Sequence, residues 1–269
     1  MKFLQFIAIL ILAAFIISCN KKPIEEKKSD NPLNPNTVVV KYKDKDMMNT
    51  YKGCKPDDKN CTYIKLKWIE LTDNKFKDSI NLIIDKQLLT GYMADSVTKY
   101  TDIKSMSKLF IDNYATLKKK DASAPRWFVD CNISIPFATA KLMCLKNETS
   151  KFTGGANEIH DVNYVNINLE TGKAVTLVNM LKKDFGKGLI ALLEKKFREM
   201  KNLTEKDSLT KGGLLKNEIK PSSNFAVTKE GLEFYYNPAE IAPKVNGEII
   251  IKLSYKDLTD LISDDSILK

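Results

Sequence analysis

An apolar run from Phe3 to Ser18 ends on a cysteine, Cys19, and this junction decides in which compartment the rest of the chain folds. One basic residue, Lys2, precedes the run, Gln5 interrupts it, and Ile16, Ile17 and the small Ser18 lead into the cysteine. The pattern reads as a lipoprotein signal peptide (residues 1–18), cut before Cys19, with acyl chains such as palmitate on that cysteine. The rival is an uncleaved transmembrane helix, which needs about 20 apolar residues against roughly 7–15 for a secretory core. The run sits near that boundary, and lysines flank both ends, so the small residue before the cysteine carries the choice. The expected location is the cell envelope, lipid-anchored to the inner or outer membrane and facing the periplasm or the exterior. Asn20-Lys21-Lys22 does not separate the two membranes.

Export to an oxidising compartment gives the other cysteines a purpose. Of five cysteines, Cys54, Cys61, Cys131 and Cys144 remain once Cys19 is lipidated, and an even count suggests disulfides. Cys54 and Cys61 bracket the polar segment Lys55–Asn60 and can close it as a loop. Trp127, Val129, Cys131, Ile133 and Ile135 alternate with Phe128, Asp130, Asn132 and Ser134, the signature of a half-buried strand. A hairpin centred on Pro136–Thr139 would place Cys131 opposite Cys144 on a second strand, Lys141–Glu148, within disulfide reach. A four-thiolate zinc site is the rival, but the spacings lack its usual close cysteine pairs. No metal is expected.

The formal net charge is +9 and hydrophobic residues make up 43% of the chain, enough for a packed core. Lysines are scattered, and arginine occurs only at Arg126 and Arg198. Nucleic-acid binding leans on arginine and clustered basic stripes, so no nucleic acid is expected. Attraction to anionic envelope polymers, or solubility, suits this charge better.

Residues 19–36 read as a lipid-anchored flexible tether. Folded sequence is expected from Thr37–Val40, a first strand, followed by a strand at Ile64, Leu66 and Trp68. Helices are predicted at Phe76–Leu88, stopping at Thr90-Gly91, and at Met106–Leu117. After the hairpin, Val165, Ile167 and Leu169 mark a strand and Glu170–Lys173 a turn. A helix over Lys187–Met200 buries Leu189, Leu192, Leu193, Phe197 and Met200. Lys201–Ser223 is polar and loop-rich. Leu232, Phe234 and Tyr236 form one further strand and Ile249, Ile251 and Leu253 another, before a short helix at Tyr255–Ile262. The mixed order predicts an α+β fold with antiparallel sheets, amphipathic helices packed on them, and two small subdomains, 37–150 and 151–262, with a tail at 263–269.

Catalytic inventory is thin. His160 is the one histidine, in the polar, loop-like Glu158-Ile159-His160-Asp161. No serine sits in a Gly-x-Ser-x-Gly elbow, and no phosphate-binding glycine fingerprint occurs. Adjacent carboxylates such as Asp57-Asp58 lie in polar segments without calcium-loop spacing. No catalytic residue is assigned and no cofactor is expected. The most distinctive stretch is Gly231–Pro243, where Asn237-Pro238 breaks a strand into a turn that Glu240 can cap. The functional reading makes Tyr235, Asn237 and Glu240, with His160 close by, a rim that contacts a ligand.

That stretch, with Thr153-Gly154-Gly155-Ala156, Asn163–Lys173 and Leu177, resembles the C-terminal domain of the RsiV/PdaC family, extracytoplasmic modules found in an anti-sigma factor and beside polysaccharide deacetylase domains. Residues 37–150, including Cys61–Leu66, are similar to the companion N-terminal domain. The resemblance implies an α+β envelope module without established catalysis, here in a stand-alone lipoprotein form. Where the family often has histidine after Gly-Gly-Ala, this chain has Asn157. The resulting expectation is a non-enzymatic envelope lipoprotein that binds wall glycan (peptidoglycan) or a wall-directed protein such as lysozyme. The alternatives are a carbohydrate-modifying protein using His160, and a purely structural one.

Overall fold

The computed structural model describes residues 40–89 and 102–268. The leader, Cys19, the tether, most of the expected first strand and the Thr90-Gly91 stop lie outside the described residues. None of the described helices is long and apolar enough to cross a membrane.

Strands β1 (Lys41–Thr50), β2 (Tyr63–Asp73), β3 (Phe128–Ala138), β4 (Leu142–Phe152), β5 (Ile159–Asn168) and β6 (Lys173–Val175) form one sheet in that order. Strands β7 (Phe225–Val227), β8 (Gly231–Tyr236) and β9 (Ile249–Ser254) form a second. Together with three α-helices they make an α+β fold. One pairing departs from the expected antiparallel scheme: β2 and β3 run parallel. Parallel neighbours need a long crossover. Here it carries both helices, α1 (Lys77–Leu89) and α2 (Ile103–Lys120). Asp102 starts α2 by accepting the Ser105 N–H at 2.8 Å.

The alternation read from the sequence sets which side chains go inside. Val129, Cys131 and Ile133 of β3 join Ile64 and Leu66 of β2, Met143 and Leu145 of β4, and Ile167 of β5. Against them pack Ile80, Ile84 and Leu88 of α1 and Met106 and Phe110 of α2, one helical face each. A second core gathers Leu232, Phe234 and Tyr236 of β8, Ile251 and Leu253 of β9, and Leu189, Leu193 and Phe197 of α3 (Phe185–Lys201). Burying each of those large side chains stabilises by about 1.5–3 kcal/mol over leaving it exposed. Met200, expected inside, continues that face but is 48% exposed, lying in the last turn of α3, one residue before the helix ends at Lys201.

The expected division at 150/151 falls inside β4, and β5 is hydrogen-bonded along it, so the six-stranded sheet continues through Val175. The break between the two cores comes after β6. Expected loop and tail segments are also built in. Leu209, Leu214 and Ile219 are buried, and Arg198 holds the preceding turn through the carbonyls of Thr204 and Asp207, each at 2.7 Å. Ser263 donates to the Met180 carbonyl, and Ile267 and Leu268 pack on the second core, so 263–268 is not a free tail. Tyr255–Ile262 is not a helix: residues 255–261 form successive turns and Ile262 bridges Leu181.

Cys54 and Cys61 are disulfide-bonded, with Cα atoms 5.5 Å apart. The expected Cys131–Cys144 bond is absent; both are buried thiols. Strand β3 runs through Pro136, which has no N–H and sits where the ladder slips between Ser134 and Phe137. The turn therefore comes later, with Thr139 N–H donating to the Leu142 carbonyl at 2.7 Å. Cys131 faces Thr149 while Cys144 faces Phe137, and strand alternation sends the two sulfurs to opposite faces of the sheet. Cys131 donates its thiol proton to Asn147 Oδ1 at 3.2 Å, and burial pushes the Cys144 thiol up to about 12. Peptide mapping after alkylation should leave Cys131 and Cys144 unlabelled in the native protein. Both should label in denaturant without reductant, and Cys54 and Cys61 should label only once reduced. Opening that disulfide should cost about 2.5 kcal/mol on the chain-entropy scale.

Candidate functional site

The residues expected to form a ligand rim are largely engaged in holding the fold together. Asn237 exchanges hydrogen bonds with the backbone of Val162 on β5, accepting its N–H at 2.8 Å and donating to its carbonyl at 3.1 Å. Asn224, which the sequence reading missed, does the same one step along: it accepts from Tyr164 N–H at 2.8 Å and donates to the Val162 carbonyl at 2.7 Å. Asn166 returns the gesture from β5, donating to the Phe225 carbonyl at 2.8 Å and accepting from Val227 N–H at 2.9 Å. An amide side chain carries the donor and acceptor of a peptide group, so Asn237 and Asn224 stand in for a missing strand along the open edge of β5, and Asn166 does the same for the edge of β7. Glu240 caps its turn, accepting the Asn237 N–H at 2.8 Å. Tyr235 is 8% exposed, its ring edge-on to Tyr164 at 5.9 Å. Burial raises both hydroxyls to about 12, so both stay protonated.

His160 lies in strand β5, not in a loop. Its Nδ1 is 2.8 Å from Ser150 Oγ, its partner on β4, and its Nε2 is 3.8 Å from Glu158. The group resembles a nucleophile–base–acid series, but the imidazole is 65% exposed. Water there screens the charge that such a series must stabilise.

Two residues further in, on the opposite face of the sheet, is a site of different character. The inward positions of β4 read Met143, Leu145, then Asn147, Thr149, Lys151; those of β5, approached from the other end, read Ile167, Val165, then Asn163, Asp161. The strand pairing sets Asn147 beside Asn163 and Thr149 beside Asp161, so both strands turn polar at the same level. A cleft of about 310 Å³ opens there, bounded also by Gln87 of α1 and by Ser223 and Asn224 of the loop before β7. Its floor is fixed. Asn147 is 6% exposed; its Oδ1 accepts from Cys131 and from Thr149 Oγ1 at 3.1 Å, and its amide donates to the Gln87 carbonyl at 3.3 Å. Above it, Lys151 and Asp161 form an ion pair at 3.4 Å. Such a surface presents hydroxyls and amides that can both donate and accept hydrogen bonds. No cluster of metal-ligating side chains occurs among the described residues.

Fold and cleft together define an α+β module with a polar cleft beside its larger sheet. Residues 179–256 match the model of a family described as "Protein of unknown function (DUF3298)". That match covers most of the second core and the Ser223–Asn224 loop, and stops short of β4 and β5. Two solved structures have the same fold. A DUF3298 family member from Bacteroides fragilis NCTC 9343 is 22% identical, with a TM-score of 0.66 over 86% of this chain and 96% of that one. A DUF3298 family protein from Pseudomonas aeruginosa PAO1 is 16% identical, with a TM-score of 0.65 over 83% of this chain and 94% of that one. None of the curated proteins compared with the chain matches it.

Proposed function

We propose that this protein is a non-catalytic, lipid-anchored component of the cell envelope that binds wall glycan in the β4–β5 cleft. The lining of that cleft carries the reading. Amides, hydroxyls and one ion pair converge on a pocket at the small end of the ligand-site range, about 300–1,000 Å³. The leader ending at Cys19 supports an anchored position outside the cytoplasm, and the likeness to RsiV/PdaC modules supports an envelope role.

Titration of the detergent-solubilised full-length chain with soluble peptidoglycan fragments tests it. Saturable heat is expected, and it should be lost when Asp161 and Asn163 are both replaced by alanine. Binding of lysozyme with no response to any fragment would move the reading to a wall-directed protein partner. A carbohydrate-modifying reading rests on the Ser150–His160 contact. Under it, His160→Ala would abolish release of acetate from acetylated wall fragments. Under the present reading no such release occurs, and the substitution leaves glycan binding intact.

A further inference from the structure

The chain carries a formal net charge of +9, which by itself favours anionic polymers of the envelope as ligands. The cleft does not share that charge. Its charged lining residues among those described are one cation, Lys151, and one anion, Asp161, held against each other at 3.4 Å. The remaining lining groups are neutral amides, hydroxyls and a phenol that burial keeps protonated.

Resting on the glycan-binding reading, we infer that the cleft selects an uncharged saccharide, recognised through a pair of neighbouring hydroxyls, and rejects anionic polymer. The ammonium of Lys151 is donor-only and the carboxylate of Asp161 is acceptor-only. Standing side by side, they match a vicinal diol, in which one hydroxyl accepts from Lys151 and the next donates to Asp161. Each sugar hydroxyl can do either, so both are satisfied without a formal charge on the ligand. A phosphate or carboxylate could take the place of one hydroxyl only by facing Asp161. It would gain from Lys151 what it loses to the carboxylate beside it. Asn163 and Ser223, both exposed and both lining the cleft, add groups that donate and accept.

The test compares two probes on the full-length chain in detergent: a neutral N-acetylglucosamine trisaccharide and an anionic poly(glycerol phosphate). The trisaccharide should bind, with an affinity changing less than about twofold between low and high salt, because no net charge is neutralised on binding. The polyphosphate should not displace it. Asp161→Asn keeps the shape and removes the anion, so affinity for the polyphosphate should rise about tenfold at low salt and fall again on adding salt. Lys151→Gln is the mirror control and should leave the polyphosphate unbound. Displacement of the trisaccharide by polyphosphate from the wild-type protein, or a steep salt dependence of trisaccharide binding, would overturn the charge selection while leaving glycan binding standing. Failure of both probes and of peptidoglycan fragments to bind would sink the two together.

Discussion

Asn166→Leu should lower the unfolding free energy by about 2–6 kcal/mol in urea denaturation. Asn166 is 2% exposed, and its amide satisfies the Phe225 carbonyl and the Val227 N–H, both on β7. Leucine fills a comparable volume, so the loss measures hydrogen bonding rather than an empty cavity. The backbone groups left behind are buried, and each unsatisfied one costs about 1–3 kcal/mol. Asparagine is here a joint between two sheets, and substituting it should loosen the second core from the β5 edge. An Asn166→Leu protein with unchanged urea midpoint would show that β7 holds its place without that amide.

Gly231→Ala is the second large effect, expected to cost at least about 3 kcal/mol, the upper end of what overpacking does in well-packed interiors. A β-carbon on Gly231 would lie 1.9 Å from the Leu253 carbonyl oxygen and 2.8 Å from the Ser254 Cα. Both are backbone atoms of β9, paired with β8 at this point, and backbone in a ladder cannot step aside as a flexible side chain can. The β8–β9 ladder would have to open at its end, exposing Leu232 and Leu253 of the second core. Gly186→Ala is the control: nothing lies within 4 Å of a β-carbon there, and the residue sits in the first turn of α3. It should be neutral or stabilising by up to about 1 kcal/mol. Equal melting temperatures for the two variants would contradict the packing argument.

The two substitutions differ in how visible they were beforehand. Gly231 opens a strand that the alternation of Leu232, Phe234 and Tyr236 announces, and all three are buried as that period requires. Asn166 also sits on an alternating strand, but its inward partners lie some sixty residues away, and nothing local to Asn163–Leu169 names them. The same holds for Asn237 and Glu240. The turn they form and its cap follow from local chemistry, Asn237-Pro238 with a carboxylate three residues on. That Asn237 spends its amide on Val162 follows only from where β5 ends up.

The cleft shows the divide most clearly. The periods of β4 and β5 are readable around Met143, Leu145, Val165 and Ile167, but the strand expected at Lys141–Glu148 stops short of Thr149 and Lys151, and Asp161 falls in an expected loop. A signal existed in those polar residues at positions where the preceding alternation is apolar. What could not be read was that both interruptions meet at one level, since that depends on the register of β4 against β5 across the connection at 153–158.

From its order of residues alone this chain determined the three described α-helices, the central stretches of β2, β3, β4, β5, β8 and β9 with the side of each that turns inward, and the short loop closed by Cys54 and Cys61. Those properties depend on neighbours a few residues apart, where steric preference and hydrophobic period act directly. The tertiary structure alone decided the parallel β2–β3 pair, the separation of Cys131 from Cys144 and the asparagine seam. It also decided the gathering of Lys151, Asp161, Asn163 and Ser223 around one opening. Each of these depends on which distant strand lies alongside and in what register, and a shift of a single residue there turns every side chain to the other face.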